Sequence, residues 1–165
     1  MPQTRTEQPT APKASSGWGF VALPGGDGKA DAAAQCGYQA WGPVVLDDND
    51  AYHIGAERCT NNTAELSALA HALSWALTCD SGRSEPLLIR YDSTYAANVM
   101  MGVWRPAANK KLARHVNKLW RRASRQLQGQ LWCAHVRAHL GHKWNETADD
   151  LANRGREHGR GAQGT

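Results

Sequence analysis

The sequence predicts an α/β fold in which one mixed β-sheet is flanked by helices. Short apolar runs that are typical of strands recur along the chain, and patterns with apolar residues three and four positions apart separate the later runs. The order is three strands that read as an antiparallel set, then helix, strand, helices, strand and helix. That order predicts an α/β sandwich around a single sheet.

The first half of the chain supplies the three antiparallel strands. Residues 17–23 (GWGFVAL) predict a strand, which a turn bearing Gly and Asp follows. Residues 35–46 and 51–59 predict two more strands. The polar run Asp47-Asp48-Asn49-Asp50 between them indicates a hairpin.

The second half alternates helices with strands. A helix is predicted at 63–79 from the apolar spacing, and the apolar run 86–91 is typical of a strand buried on both faces. Asp92 or Ser93 can cap the next helix, at 94–101. The remaining predicted elements are an amphipathic helix at 109–128, a strand at 131–137 and a last helix at 145–156.

A length of 165 residues is most simply one domain with a core of its own. Residues 1–16 are rich in Pro, Thr, Gln and Ser without apolar periodicity, which predicts a flexible tail. We therefore expect the folded domain to span 17–157 and a Gly-rich, flexible C-terminal tail to span 158–165.

Positive charge is concentrated in one region, although the net charge is only +4. Between Asp92 and Glu146 every Lys, Arg, Asp or Glu is basic. A solvated helix face is the alternative, but such faces usually mix signs, so a polyanion and above all nucleic acid is the expected partner. The bases are Arg105, Lys110, Lys111, Arg114, Lys118, Arg121, Arg122, Arg125, Arg137 and Lys143.

The cysteines and the apolar content predict an intracellular protein without a membrane partner. Cys36, Cys59, Cys79 and Cys133 show no paired spacing, which argues against a zinc knuckle or a disulfide framework. No apolar run approaches the length of a membrane span, and the N-terminus lacks the apolar core of a secretory signal.

Three acids lie at the ends of predicted elements. Glu65 is expected in the first turn of its helix, Asp92 ends a strand, and Asp149 lies in the first turns of the last helix. Glu65 alone could be an acid that the helix dipole favours. As a set at one sheet edge, the three carboxylates predict a Mg²⁺ site of the kind that serves phosphodiester hydrolysis.

The motifs around these acids resemble those of the type 1 ribonuclease H family. The resemblance covers residues 17–156 in the family's order, including the glycine-bearing strand that starts at Gly17-Trp18-Gly19. It lies in Thr60-Asn61-Asn62-Thr63-Ala64-Glu65-Leu66, in Tyr91-Asp92-Ser93, in His139-Leu140-Gly141-His142 and in Asn145-Glu146-Thr147-Ala148-Asp149.

The resemblance implies a five-stranded mixed sheet and an endonuclease that cuts the RNA strand of RNA–DNA hybrids. Glu65, Asp92 and Asp149 would bind two Mg²⁺ ions, for which Mn²⁺ can substitute. His139, otherwise an exposed loop histidine, would assist proton transfer or product release. His142 and Asn145 would set the turn and cap the last helix.

The resemblance also implies where the hybrid binds. Thr60, Asn61 and Asn62 would contact its backbone, with Asn62 near a 2′-hydroxyl. The basic helix would hold the phosphates of the second strand, and Trp104, Trp120 and Trp132 are each expected in the core rather than as stacking platforms. The basic residues assigned to binding are Arg105, Lys110, Lys111 and Arg114.

One family motif is missing. The family has a first, central strand that ends in Asp-Gly-Ser, but residues 1–16 contain no Asp, and Glu7 lies in a polar run between Pro2 and Pro9. We therefore expect the first strand to be absent or degenerate, with a gap between the strands at 17–23 and 86–91. A fragment of a longer protein, a mis-started reading frame and a degenerate copy remain open explanations.

Two other functions remain open because of that missing Asp. The chain could be a catalytically impaired module that binds hybrids or duplexes. It could also be a structural domain of a larger polymerase polyprotein, since its variable segments look closest to ribonuclease H domains of retroelement reverse transcriptases.

Overall fold

The computed structural model describes residues 14–24, 37–79, 85–137 and 141–164 and shows an α/β fold with helices on both faces of its strands. None of the helices in these ranges combines the length and the hydropathy of a membrane span. The elements are β1 (Gly17–Ala22), β2 (Tyr38–Pro43), α1 (Asn61–Thr78), β3 (Leu87–Tyr91), α2 (Thr94–Met101), α3 (Lys110–Gln126), β4 (Leu131–His135), α4 (Lys143–His158) and β5 (Gly161–Gly164).

The described strands form two sheets rather than one. In the first, β2 lies between β1 and β5 and pairs antiparallel with both. In the second, β3 and β4 pair in parallel, with Leu87 opposite Leu131 and Tyr91 opposite His135. The carboxyl ends of β3 and β4 therefore reach the same sheet edge.

The predicted strand at 51–59 is wrong. Those residues form turns and an irregular loop, and the acidic run before them bonds locally instead of closing a hairpin. The Asp47 carboxylate accepts hydrogen bonds from the Asn49 backbone N–H at 3.0 Å, and Asp50 accepts from the Tyr52 N–H at 2.8 Å. Such Asx turns compete with a strand ladder.

The third antiparallel strand comes instead from the expected C-terminal tail. Residues 161–164 form β5, with Tyr38 opposite Gly164 and Trp41 opposite Gly161. Gly161 lies so close to the Trp41 ring that a Cβ would collide with it. The glycines that suggested flexibility therefore allow the strand to pass an indole, which explains the wrong prediction.

The main core lies between the first sheet and helices α1 to α3. Leu66, Leu73, Met100, Leu112 and Val116 are at most 1% exposed. An aromatic layer joins β1 and β2 to α1, because the Trp18 ring stacks on His71 at 3.7 Å and the Tyr38 ring stacks on Trp75 at 5.2 Å. These contacts fix the sheet on α1.

Helix α4 covers the opposite face of β1, and glycines allow the close approach. A Cβ on Gly19 would lie 2.6 Å from the Leu151 Cβ and 2.8 Å from the Ala148 carbonyl oxygen. Gly155 meets the Gly42 backbone in the same way. The pattern of glycines in β1 and β2 therefore serves helix packing.

Among the described strands, β1 and β3 each end their sheet, and a cavity of about 1600 Å³ lies between them. Residues 1–13 lie outside the described residues, so the expected absence of the first strand stays a prediction. The expectation that β3 is buried on both faces is wrong, because Leu88 and Arg90 are exposed while Ile89 is buried.

Candidate active site

Helix α1 begins with a reciprocal cap. The Thr60 hydroxyl accepts a hydrogen bond from the Thr63 N–H at 3.2 Å, and the Thr63 hydroxyl accepts one from the Thr60 N–H at 3.1 Å. Because the helix starts at Asn61, Glu65 is its fifth residue, so its predicted position in the first turn is wrong. Thr60 is thus held by helix capping, while the Asn61 and Asn62 side chains are exposed.

A buried amide, which the sequence interpretation missed, joins this cap to the basic helix. The Asn109 Oδ1 accepts from the Glu57 N–H at 2.8 Å and from the Arg58 N–H at 3.0 Å, and its Nδ2 donates to the Thr63 hydroxyl at 2.9 Å. Asn109 is the N-cap residue of α3 and has a left-handed backbone (φ 54°, ψ 44°). Its type and its position before a helix were the available signals.

Asp92 follows β3 and is held from two sides. The Asn145 Nδ2 donates to the Asp92 Oδ2 at 3.2 Å, and the His135 Nε2 lies 3.1 Å from the Asp92 carbonyl oxygen. Ser93, one of the two predicted caps, is the residue that caps α2, through the Ala96 N–H at 3.1 Å.

The predicted capping role of Asn145 is wrong. The N-cap residue of α4 is His142, which makes no side-chain cap bond, and Asn145 lies inside the helix. Its amide instead reaches across to the Asp92 carboxylate. His135 was also missed as a neighbour of Asp92, although the parallel pairing of β3 with β4 brings the ends of both strands to one edge.

The three predicted acids meet at one end of the large cavity, where they form what we call the acidic cluster: Glu65, Asp92 and Asp149. Burial, then the charges of Asp92 and Asp149 and a hydrogen bond with Asp92, raise the pKa of Glu65 to about 7. Near neutral pH, Glu65 is therefore close to half protonated. Asp150, the neighbour of Asp149, is exposed and does not line the cavity.

The donor set of the acidic cluster fits Mg²⁺ in kind, because carboxylate oxygens are the ligands this ion prefers. The raised pKa of Glu65 is the expected sign of crowded negative charge, which a divalent cation would neutralise. Within the described ranges, no three His, Cys, Asp or Glu side chains already stand close enough together to hold a metal ion. The three carboxylates thus lie near one another but are not at distances that would coordinate one ion.

The predicted nucleic-acid contacts lie at the start of α1, on α3 and, for Arg105, in the segment before α3. The side chains of Arg105, Lys110, Lys111 and Arg114 are exposed, and the Lys111 N–H donates to the Glu57 carboxylate at 3.2 Å. None of the four forms a salt bridge with a described carboxylate. The Asn109 bonds set the start of α3 beside Thr60, Asn61 and Asn62.

Two other predictions differ in outcome. Trp104 is 47% exposed and Trp132 is 52% exposed, so the expectation that they are core residues is wrong, whereas Trp120 packs against the core. His139 lies outside the described residues, so its predicted role stays a prediction.

Comparison with known proteins gives a consistent result. The RNase H family model matches residues 26–157. The ribonuclease H of Herminiimonas arsenicoxydans is 35% identical over 133 residues, which are 73% of this chain and 86% of that protein. The ribonuclease HI of Pseudomonas aeruginosa is 35% identical over 137 residues, which are 72% of this chain and 83% of that protein.

Solved structures are also similar to this chain. LC11-RNase H1, isolated from compost by a metagenomic approach, is 23% identical with a TM-score of 0.47, covering 85% of this chain and 91% of its own. RNase H1 from the archaeon Halobacterium salinarum is 26% identical with a TM-score of 0.41, and the match covers 84% of this chain and 94% of that protein. By the family model and the sequence relatives, the chain belongs to the RNase H family.

Proposed function

We propose that this protein hydrolyses the RNA strand of RNA–DNA hybrids. The observation that carries the proposal is the convergence of Glu65, Asp92 and Asp149 at one end of the cavity, beside the exposed start of α1. Membership of the RNase H family supports the same reaction. A cluster of carboxylates together with exposed basic side chains suits a site where a polyanion meets divalent cations.

Glu65, Asp92 and Asp149 would hold the divalent cations, Mg²⁺ or Mn²⁺, and family members are expected to use two. Bound there, the metal would lower the pKa of an attacking water and stabilise charge on the phosphate. The protein's own contribution is the arrangement of the acids. The Asn145 amide orients the Asp92 carboxylate, and His135 fixes the backbone that carries it.

The protonation of Glu65 should depend on whether a cation is bound at the acidic cluster. Since its pKa is about 7, cation binding near neutral pH should expel a proton from its carboxyl group. His139 remains the predicted group for proton transfer or product release.

The substrate surface would distinguish a hybrid by its backbone rather than by its bases. Asn61 and Asn62 are exposed beside the acidic cluster, where a 2′-hydroxyl can meet an amide. The side chains of Lys110, Lys111 and Arg114 would hold phosphates of the other strand, since phosphate contacts position a duplex without reading sequence.

A second function is favoured by a specific observation. Within the described residues the acids do not close around an ion, and residues 1–16 contain no Asp of the kind that the family's first strand would supply. The alternative is therefore a module that binds hybrids without cleaving them, either alone or as a structural domain of a reverse transcriptase.

The deciding experiment is a cleavage assay on a hybrid labelled on its RNA strand, with Mg²⁺ or Mn²⁺ present. We expect slow cleavage that Asp92→Asn abolishes while hybrid binding, measured by fluorescence anisotropy, is kept. Asp150→Asn is the matched control, because Asp150 is an exposed neighbour of Asp149 outside the cavity. Binding without cleavage at every metal concentration would favour the second function.

A related test restores the missing carboxylate. An added N-terminal strand of the form apolar-apolar-Thr-Asp-Gly-Ser should raise cleavage, because a further carboxylate offsets the repulsion between two cations. The same strand with Asn in place of Asp is the control. Equal cleavage by both extended chains, or robust cleavage by the unextended chain, would show that the added Asp is not what limits activity.

A further inference from the structure

A second, smaller cavity of about 260 Å³ lies on the α1 side of the antiparallel sheet, and no residue of the acidic cluster lines it. The strand register explains its position. Phe20 of β1 lies opposite Ala40 of β2, and Ala40 lies opposite Ala162 of β5. Across the three strands the side chain therefore shrinks from a ring to two methyl groups. Trp75 of α1 packs against the Phe20 ring, and the two alanines form the floor of the cavity.

Aromatic rings form the walls of this cavity, which we call the ring pocket after Trp18, Phe20, Tyr38 and Trp75. The Trp18 ring stacks on His71, and the Tyr38 ring stacks on Trp75. Flat apolar walls of this kind favour a planar ligand, because aromatic rings attract one another beyond the area that they bury. The ring pocket is smaller than the roughly 300–1,000 Å³ of sites for drug-sized ligands, so it suits a single ring system.

His71 supplies hydrogen-bonding atoms in the ring pocket. Burial first, then the charges of Arg160 and His115, lower the pKa of His71 to about 3, so the imidazole is neutral at pH 7 and has one N–H donor and one acceptor nitrogen. Neither nitrogen is hydrogen-bonded to any residue that the structure describes. Stacking on Trp18 uses the face of the imidazole and leaves its edge, which suits a ligand with both donor and acceptor atoms, as a nucleobase has.

Arg160 places a positive charge at the ring pocket. Its guanidinium carbon lies 3.8 Å from the centroid of the Tyr52 ring and 5.4 Å from that of the Trp18 ring, so cation–π contacts hold it. The charge of Asp50 acts on Arg160, but no carboxylate in the described part of the chain forms a salt bridge with it. Its N–H groups are therefore available to an anion, and a phosphate matches a guanidinium through two parallel hydrogen bonds.

We propose that the ring pocket binds a nucleotide, with the base against the aromatic walls and the phosphate on Arg160. The adjacent part of α3 favours the same charge on the ligand, because His115 acts on His71 and Lys118 acts on His115. Two sources share this chemistry, namely the terminal nucleotide of a single strand and a free mononucleotide. The site stands whether or not the protein cleaves hybrids, since it shares no residue with the acidic cluster.

The test measures binding to the full chain by isothermal titration calorimetry in EDTA, so that no cation joins the ligand to the acidic cluster. The probes are AMP, adenosine and inorganic phosphate. We expect AMP to bind at least about tenfold more tightly than either of the others, because it alone uses the rings and Arg160 together. Arg160→Gln should weaken AMP binding by at least about tenfold and change adenosine binding by less than about twofold. Arg154→Gln is the matched control, since that guanidinium lies 4.2 Å from the Trp41 ring, outside the ring pocket.

A second variant tests the pocket itself. Ala162→Leu fills it from the floor, and because Ala162 is exposed the variant should fold. It should abolish the binding of AMP and of adenosine alike, and it should remove the shift that AMP causes in the His71 ring signals in NMR spectra. Gln163→Leu is the control, because the next residue along a strand points to the opposite face of the sheet.

A short single strand of deoxyadenosine nucleotides with a 5′-phosphate distinguishes the two sources. Binding more than about tenfold tighter than that of AMP, and lost in Ala162→Leu, assigns the ring pocket to a strand terminus. Equal or weaker binding assigns it to a free nucleotide. Three results would overturn the proposal. These are no binding of AMP at millimolar concentration, binding that neither Arg160→Gln nor Ala162→Leu weakens, and binding that is lost when Lys110, Lys111 and Arg114 are replaced together.

Discussion

The two sheets of this protein are packed very differently. The antiparallel sheet is held between α1 and α4, with aromatic rings on one side and glycines against a helix on the other. In the parallel pair β3 and β4, no other described strand joins the two, and the Leu88 and Trp132 side chains are exposed. Stability is therefore expected to reside mainly in the first sheet, whereas the second carries Asp92 at an open edge.

The largest effect should come from the glycine contact between β1 and α4. Gly19→Val would push a side chain into the Leu151 Cβ and the Ala148 carbonyl, so we expect a loss of more than about 3 kcal/mol in the free energy of unfolding. Leu88→Ser on the open face is the control and should cost less than about 1 kcal/mol. Urea unfolding measures both. Similar losses would show that the two sheets are packed alike.

A slightly smaller effect should appear in acid. Burial first, then the charges of Arg160 and His115, lower the pKa of His71 to about 3. The folded state thus binds fewer protons than the unfolded state between pH 3 and 6.5, and stability should fall as pH falls through this window.

His71→Gln should remove this acid sensitivity, which amounts to on the order of 3 kcal/mol at pH 4 for a shift of this size. Thermal unfolding at pH 4 and pH 7 measures the difference, with exposed His158→Gln as the control. An identical loss of stability between the two pH values in both variants would exclude His71 as the cause.

Glu65 should cause the opposite dependence of stability on pH. The pKa of Glu65 is raised to about 7, so without metal its contribution to stability is lost as pH rises from 4.5 through 7. Glu65→Gln should therefore stabilise the metal-free protein at pH 8 by roughly 2–3 kcal/mol and abolish cleavage. Thermal unfolding in EDTA measures the gain. No difference from the parent protein at pH 8 would show that the folded protein does not penalise the Glu65 charge.

The smallest effect on stability is expected on α3. Replacing Lys110, Lys111 and Arg114 together with Gln should leave the Tm almost unchanged, because all three side chains are exposed. Hybrid binding should weaken, and the slope of log K against log salt should fall by roughly 2–3 as phosphate contacts are lost. Arg154→Gln and Arg156→Gln on α4 serve as controls. An unchanged slope would mean that this part of α3 is only a solvated face.

The elements that the sequence predicted well are those whose pattern is local. Helix α2 was predicted with its observed bounds, and α1, α3, β3, β4 and α4 were predicted with small errors at their ends. The predictions failed where distant contacts decide. β5 has no apolar alternation and depends on the fit of Gly161 against Trp41, while residues 51–59 alternate but follow a run of Asx turns.

The site shows the same division. Its acids could be predicted because each lies in a recognisable sequence motif. The bond from Asn145 to Asp92 and the raised pKa of Glu65 could not be predicted, since both depend on how α4 and β3 approach each other. Asn109 was missed because an Asn before a helix gives no sign in the sequence that its side chain bonds to a distant loop and to another helix.

The bonds of Asn109 have a mechanical consequence. One buried amide bonds to the loop before α1 and to the first turn of α1, while its own backbone starts α3. The two surfaces proposed to bind opposite strands of a duplex therefore cannot move past each other without breaking three hydrogen bonds, of which the one to Thr63 is buried. The distance between the two surfaces is therefore fixed, and a bound duplex must have a width that matches it.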